Sequence, residues 1–249
     1  MEATVEKKIE EQLRYLSLTY LREHWDEILK EAQEQDLTIR KVLTQTVKNE
    51  YEFKKERARH ARVKASRVPT EYRIETYPFS KQPHLNKKRL MENFDSLNYI
   101  TDNRNILLLG PTGAGKTGLG TAFLLNAIDA GYRCRFVLFS DLISELWGSQ
   151  ADNTSRSVIN KYSSYDCLLI DELGYLSVEK SQVGLFFNLM QKRYKKTCTI
   201  ITSNMGLTDW GEYFGDKHLA AALIDRLTDN GHVINMNKCQ SIRSDADVD

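Results

Sequence analysis

Over the first quarter of the chain, apolar positions recur at steps of three and four. Val5, Ile9, Leu13, Leu16 and Tyr20 mark one helical face, and Leu21, Trp25, Ile28, Leu29 and Ala32 continue it. After Asp36 a second helix is predicted, with Ile39, Val42, Leu43, Thr46, Val47 and Tyr51 facing one way. Residues 1–66 hold no proline or glycine, so nothing interrupts a helical hairpin or small bundle. Such a piece buries too little apolar surface to be a robust domain alone. Val68 before Pro69 ends the helix, because the residue before proline is pushed out of the helical region. Residues 70–83, with Pro78 and Pro83, read as an extended linker.

Beyond residue 97 the period changes. Short apolar runs at 105–109, 134–139, 167–170, 197–202 and 232–236 read as strands. Helical stretches separate them, notably 117–128, 141–148, 180–194 and 217–227. That alternation predicts an α/β fold, a parallel five-stranded sheet covered by helices on both faces. The expected organisation is a helical region at 1–67, a linker and leading helix at 68–96, and an α/β core at 97–240. An acidic tail at 241–249, with three aspartates, is expected to be disordered.

Composition sharpens this picture in two places. No run approaches the roughly 20 apolar residues that span a bilayer, and the start, MEATVEKKIEEQ, is too charged for a secretory signal. Cys134, Cys167, Cys198 and Cys239 are widely spaced without a C-x-x-C pair. Three of them fall in strand-like runs, so they read as reduced core thiols. A cytoplasmic protein without zinc or membrane association is expected. The formal net charge of +1 hides a local excess: residues 54–67 carry seven Lys/Arg against one Glu. These are Lys54, Lys55, Arg57, Arg59, Arg62, Lys64 and Arg67. The run reads either as a solvated helix face or as a strip that neutralises nucleic-acid phosphates.

The chemistry concentrates in ILLLGPTGAGKT, which fits G-x-x-x-x-G-K-[ST] with Gly110, Gly115, Lys116 and Thr117. It follows a predicted strand and opens a predicted helix, the context a P-loop needs. Residues Gly110, Pro111, Thr112, Gly113, Ala114, Gly115 and Gly118 form the loop and helix start, whose backbone N–H groups, proline having none, are expected to face a β-phosphate. Lys116 is expected to reach the β- and γ-phosphates of ATP, and Thr117 to supply a hydroxyl to Mg2+. The run CLLIDE places Asp171 at the carboxyl end of an apolar strand, where open α/β sheets bind ligands. Asp171 is the candidate for the Mg2+ shell, and Glu172 for orienting or deprotonating an attacking water.

The motifs GPTGAGKT, LLIDELGYL, TIITSN and LIDRL, in this order, resemble the AAA+ ATPases of the helicase-loader clade. The wording around them is most similar to the IstB-type transposition helper ATPases of bacterial insertion sequences: DELGYLSVE, RYKKTCTIITSN and DWGEYFGD. The leader, with YLSLTYLREH and KASRVPTEYRIETYPFS, carries the likeness too, so it covers about Leu13 to Arg243. The resemblance implies a P-loop NTPase core of AAA+ type without a separate helical lid. It assigns Asn204 as sensor 1, Arg226 as an arginine finger inserted into a neighbouring subunit, and Arg243 as a sensor 2 candidate. Without the family, Asn204 is a turn residue and Arg226 a helix-face cation. The triplet Ser241, Ile242 and Arg243 departs from the family's Ser-Tyr-Arg, and Ala114, Gly118 and Gly120 depart from its loop. Pro78 and Phe79 are expected near the adenine.

The function implied is an ATP-dependent helper of transposition. It would oligomerise on duplex target DNA and recruit or activate a transposase, with hydrolysis controlling assembly. Arg156 and Lys161 are further candidates for DNA-backbone contact. A replicative helicase loader of the DnaC type, acting on single-stranded DNA, shares the same ATPase motifs. A module that only binds ATP is disfavoured by Lys116, Asp171 and Glu172 together.

Overall fold

The computed structural model describes residues 2–151 and 153–242. Arg243 and most of the acidic tail lie outside the described residues. The chain divides into two compact units, residues 1–61 and 62–249. Four helices open it: α1 (Glu2–Tyr15), α2 (Thr19–Glu23), α3 (Trp25–Glu34) and α4 (Ile39–Ser66).

The helix expected across residues 5–32 is broken into three. Ser17 turns left-handed at φ 56°, and the Thr19 and Leu21 N–H groups donate to the Glu50 carboxylate at 3.0 Å each. A buried carboxylate at the start of α2 satisfies amides that a continuous helix would have used internally. The face expected on the second helix is also only half used. Val42 and Thr46 are half-buried, whereas Ile39, Leu43, Val47 and Tyr51 are 79%, 60%, 68% and 61% exposed. α4 ends at Ser66 with Arg67 left-handed at φ 59°, ahead of Pro69.

The second unit alternates as the sequence predicts. After two 3-10 turns (Ile74–Thr76 and Phe79–Lys81) come α5 (Lys87–Ser96), α6 (Asn98–Thr101), β1 (Asn105–Leu109), α7 (Lys116–Asp129) and β2 (Cys134–Leu138). Then follow α8 (Phe139–Ala151), α9 (Ser155–Ser163), β3 (Cys167–Leu173), α10 (Lys180–Arg193) and β4 (Cys198–Ser203). A 3-10 turn, α11 (Trp210–Tyr213), α12 (Lys217–Thr228) and β5 (Gly231–Asn235) complete it, and no helix follows β5 among the described residues. The sheet is parallel throughout, in the order β2-β3-β4-β1-β5.

Each central strand feeds two cores, because successive side chains point to opposite faces. Ile106 and Leu108, Cys167 and Leu169, Cys198 and Ile200 pack with α7 and residues 74–100. Leu107 and Leu109, Leu168 and Ile170, and Ile201 pack with α8, α10, α11 and α12. Burial on both faces is why these strands read as unbroken apolar runs. The three strand cysteines are free thiols in one register line, Cys134 beside Cys167 beside Cys198. No described helix is long and apolar enough to cross a membrane.

Candidate active site

β1 delivers the chain to residues 110–115, and α7 starts at Lys116. Gly113 and Gly115 sit at φ 84° and 88°, where a side chain strains the backbone. Space forbids one as well. A Cβ on Gly113 would meet Ser241 Oγ at 2.5 Å, and one on Gly115 would meet Ile242 Cδ1 at 2.8 Å. The loop and the first turn of α7, with its positive helix end, line a cleft. Lys116 is buried and folds back, donating from Nζ to the Gly110 and Pro111 carbonyls at 2.7 and 2.8 Å.

Opposite the loop, the Thr117 hydroxyl donates to both Asp171 carboxylate oxygens at 3.1 Å. The Thr202 hydroxyl donates to Asp171 Oδ1 at 2.5 Å. Burial pushes the Asp171 carboxyl above its ordinary range, against the Thr202 and Thr117 hydrogen bonds and the Lys116 charge. The sequence ends this strand at residue 170, but β3 runs on to Leu173 through an irregular register. Glu172 therefore sits inside the strand, left-handed at φ 63°, and is exposed. A non-glycine residue in that conformation costs about 1–2 kcal/mol.

Between these groups lies a cleft of about 440 Å3. Its walls are Tyr72, Arg73, Thr76, Tyr77 and Pro78 from the linker, with Glu172, Tyr175, Thr202 and Ile242. Thr112, Gly113 and residues 115–118 form its floor. Pro78 lines it as expected, but Phe79 does not. The Phe79 ring packs on Tyr77 at 4.8 Å, with the Lys87 ammonium 5.0 Å above it. Tyr77 donates to the Ala114 carbonyl at 3.2 Å, tying the linker to the loop. Gln82 bridges the Ala114 and Gln240 carbonyls, and the Ile242 N–H donates to Gly113 at 2.9 Å. The chain after β5 thus runs back over the P-loop, ending the described residues beside it. Tyr72, Tyr77, Tyr175, Thr202 and Ile242 were missed by sequence reasoning; the aromatic spacing in EYRIETYPF is the one signal that points to the first two.

Other expected site residues lie outside the cleft lining. Asn204 is exposed just after β4, its side-chain oxygen against Gly174, where a Cβ would meet it at 2.6 Å. Arg226 is in the last turn of α12, stacked 4.8 Å over the Phe187 ring and bonded to Gln191 and the Ala222 carbonyl. Lys161 is engaged by Glu145 at 2.5 Å, which makes it a poor backbone-contact candidate, while Arg156 is exposed. The basic run does not form one strip. By helical spacing, Lys55, Arg59 and Arg62 fall on one face of α4, and Lys54, Arg57 and Lys64 on another. Arg57 donates to Thr19 Oγ1, Arg59 pairs with Glu56, and Arg62 donates to the Ile128 carbonyl. Lys54, Lys55, Lys64 and Arg67 are exposed.

A strand, glycine loop and helix facing a hydroxyl–carboxylate pair, on a parallel five-stranded sheet in this order, define a P-loop ATPase of AAA+ type. Residues 11–247 match the family model described as IstB-like ATP binding protein, and the chain belongs to that family. It is 34% identical over 229 residues to an IS21 insertion-sequence ATP-binding protein of Pseudomonas aeruginosa, covering 92% of this chain and 86% of that protein. With the IS232 insertion-sequence ATP-binding protein of Bacillus thuringiensis subsp. berliner it shares 30% over 224 residues, 90% of this chain and 89% of the relative. In fold it is similar to AMPPCP-bound DnaA from Aquifex aeolicus, with a TM-score of 0.55 and 21% identity. That likeness spans 71% of this chain and 52% of that one.

Proposed function

We propose that this ATPase is a helper of DNA transposition that assembles on duplex target DNA and recruits or activates a transposase, with ATP hydrolysis controlling the assembly. The observation that carries the reading is the cleft itself, in a chain whose family relatives are named for insertion sequences. Lys116, released from the loop carbonyls, binds the β- and γ-phosphates, and the backbone N–H groups of residues 112–118 cradle them. Thr117 and Asp171 present hard oxygen donors in mutual contact, a set that suits Mg2+. Bound there, that ion neutralises charge on the transferring phosphoryl group. Glu172, exposed into the cleft, orients the attacking water, and Asn204, just after β4 and against Gly174, is the sensor 1 candidate. Tyr72, Tyr77 and Pro78 form the adenine side. Arg243, outside the described residues, keeps the candidate sensor 2 role by its likeness to the family's ending.

Arg226, in the last turn of α12, is read as a finger for a neighbouring subunit, a role for which it exchanges Gln191 and the Ala222 carbonyl for a phosphate. Self-association then follows from catalysis, since each site is completed by the next copy. The exposed cations Lys54, Lys55, Lys64 and Arg67 are the phosphate-contact candidates, with binding mostly to backbone and weakly sequence-selective. The stripe of Ile39, Leu43, Val47 and Tyr51 is the candidate protein-contact surface, since contiguous exposed apolar side chains mark interaction sites. The test is binding of labelled duplex and single-stranded DNA with a non-hydrolysable ATP analogue, over a salt series. Tighter duplex binding that requires the analogue and weakens steeply with salt is expected. Preference for single strands would favour a helicase loader instead.

A further inference from the structure

We propose that Thr202 is a positioning residue for hydrolysis, holding the Glu172 backbone at the bulge that turns its carboxylate into the cleft; this rests on the reading of Glu172 as the water-orienting group. The bulge is set by strand pairing. β3 and β4 run in register from Cys167 beside Cys198 to Ile170 beside Ile201, and the next pair is Leu173 beside Ser203. Between those pairs β3 contributes Asp171 and Glu172, while β4 contributes Thr202 alone. One extra residue on one strand is a β-bulge, a device that re-aims side chains beside active sites.

Packing shows what the extra residue does. Along β3, Cys167 and Leu169 enter one core and Leu168 and Ile170 the other. Strict alternation would send Leu173 with Cys167 and Leu169. It packs instead with Leu168 and Ile170, so the strand end has changed face. Glu172 takes up the slack in the left-handed region at φ 63° and lines the cleft.

A bulge takes a backbone N–H away from its ladder carbonyl, and a buried strand must find that N–H another acceptor. Here the Glu172 N–H donates to Thr202 Oγ1 at 3.0 Å, and the same hydroxyl donates onward to Asp171 Oδ1 at 2.5 Å. Thr202 is 1% exposed, so its oxygen is fixed by the strand that carries it. One hydroxyl therefore joins the backbone of Glu172 to the carboxylate beside it. Asp171 keeps the Thr117 hydroxyl if Thr202 is changed, whereas the Glu172 amide loses this acceptor. The effect of removing the hydroxyl should thus fall on Glu172, and on turnover more than on nucleotide binding.

The test compares Thr202→Val, which has the shape without the hydroxyl, with Thr202→Ser, which keeps it, and with Glu172→Gln. Steady-state ATP turnover, ADP binding without metal, and residue-resolved amide hydrogen exchange of the nucleotide-free protein are measured for each. Thr202→Val should lower kcat about ten-fold or more while KM and the ADP Kd move by less than about three-fold. Its Glu172 amide should exchange at least about ten-fold faster, with Ile170 and Ile201 still protected. Thr202→Ser should recover kcat to within about three-fold of wild type and restore that protection. If the valine variant does not fold, Thr202→Ala carries the same expectations. Loss of turnover in Glu172→Gln with wild-type turnover in Thr202→Val overturns the role of Thr202 alone. So do equal losses in the valine and serine variants. Wild-type turnover in Glu172→Gln overturns the reading of Glu172 and this inference with it.

Discussion

Residues 62–242 and residues 1–61 use their side chains in opposite ways. In the α/β unit even the buried guanidinium of Arg193 is satisfied, donating to Thr199 Oγ1 and to the Tyr162, Tyr165 and Cys198 carbonyls. Its central strands are buried on both faces, and Lys116, Thr117, Glu172 and Thr202 meet at one cleft. In the helical unit only Leu13 and Glu50 are buried among the residues whose side chains are described, and four large apolar side chains face solvent on successive turns of α4. The difference separates two jobs. A rigid double core can hold a hydroxyl, a carboxylate and a glycine loop in fixed relation before nucleotide arrives. A helical unit with little interior of its own leaves its side chains on the outside, the arrangement a recognition surface needs.

The contrast breaks most severely if the α/β unit proves catalytically complete in one copy. Arg226→Ala should lower turnover about 10³-fold or more, as loss of an arginine finger does. Mixed with Lys116→Ala protein, it should regain turnover above either variant alone. A silent mixture would contradict a finger acting between copies. Glu172→Gln comes next, with turnover down about 10²- to 10³-fold and ATP binding retained in equilibrium titrations. In the helical unit, Leu43→Ser with Val47→Ser should change stability by less than about 0.5 kcal/mol per substitution, because both side chains are already solvated. Capture of the cognate transposase should fall about ten-fold in the same variant. Unchanged capture would remove the stripe from the partner surface.

Two smaller effects probe how tightly the α/β unit is built. A Cβ on Gly118 would touch only the Tyr72 ring at 3.6 Å, so Gly118→Ala should raise stability by up to about 1 kcal/mol in thermal melts. A Cβ on Gly120 would meet Leu169 Cδ1 at 3.1 Å and Leu108 Cδ1 at 3.3 Å, so Gly120→Ala should not share that gain. Glu145 supplies the smallest effect. Burial raises its carboxyl, but hydrogen bonds from Lys161 and Tyr162 and the Lys161 charge outweigh it and leave it below the ordinary 4.5. A depressed native value contributes stability above the unfolded value and loses it as pH falls. Glu145→Gln should therefore lower stability slightly at pH 7, by less than about 1 kcal/mol for so exposed a pair, read in thermal melts. The difference from wild type should close as pH drops below 4.5.

Much of the α/β unit was legible because its signals are local. Residues 110–117 spell the loop, and strands buried on both faces read as apolar runs with ends correct to within a few residues. What was not legible arrives from far along the chain. Glu50 breaks the first helix by capturing amides 29 and 31 residues away. The end of β3 was hidden because the apolar run that marks the strand stops before Asp171, whereas the bulge carries the strand on to Leu173. Tyr77 and Ile242 reach the P-loop only through the tertiary fold. The basic run was readable as charge, but not that Arg57 and Arg62 are spent on structural hydrogen bonds.

The central claim is that ATP turnover in the cleft answers to duplex DNA. Steady-state ATP hydrolysis with duplex DNA, with single-stranded DNA and without DNA, alongside sizing of the complexes, tests it most directly. The account predicts turnover that rises with duplex and large assemblies that form with ATP and persist in Glu172→Gln. Turnover and assembly that answer only to single strands, or no hydrolysis under any condition, would contradict it.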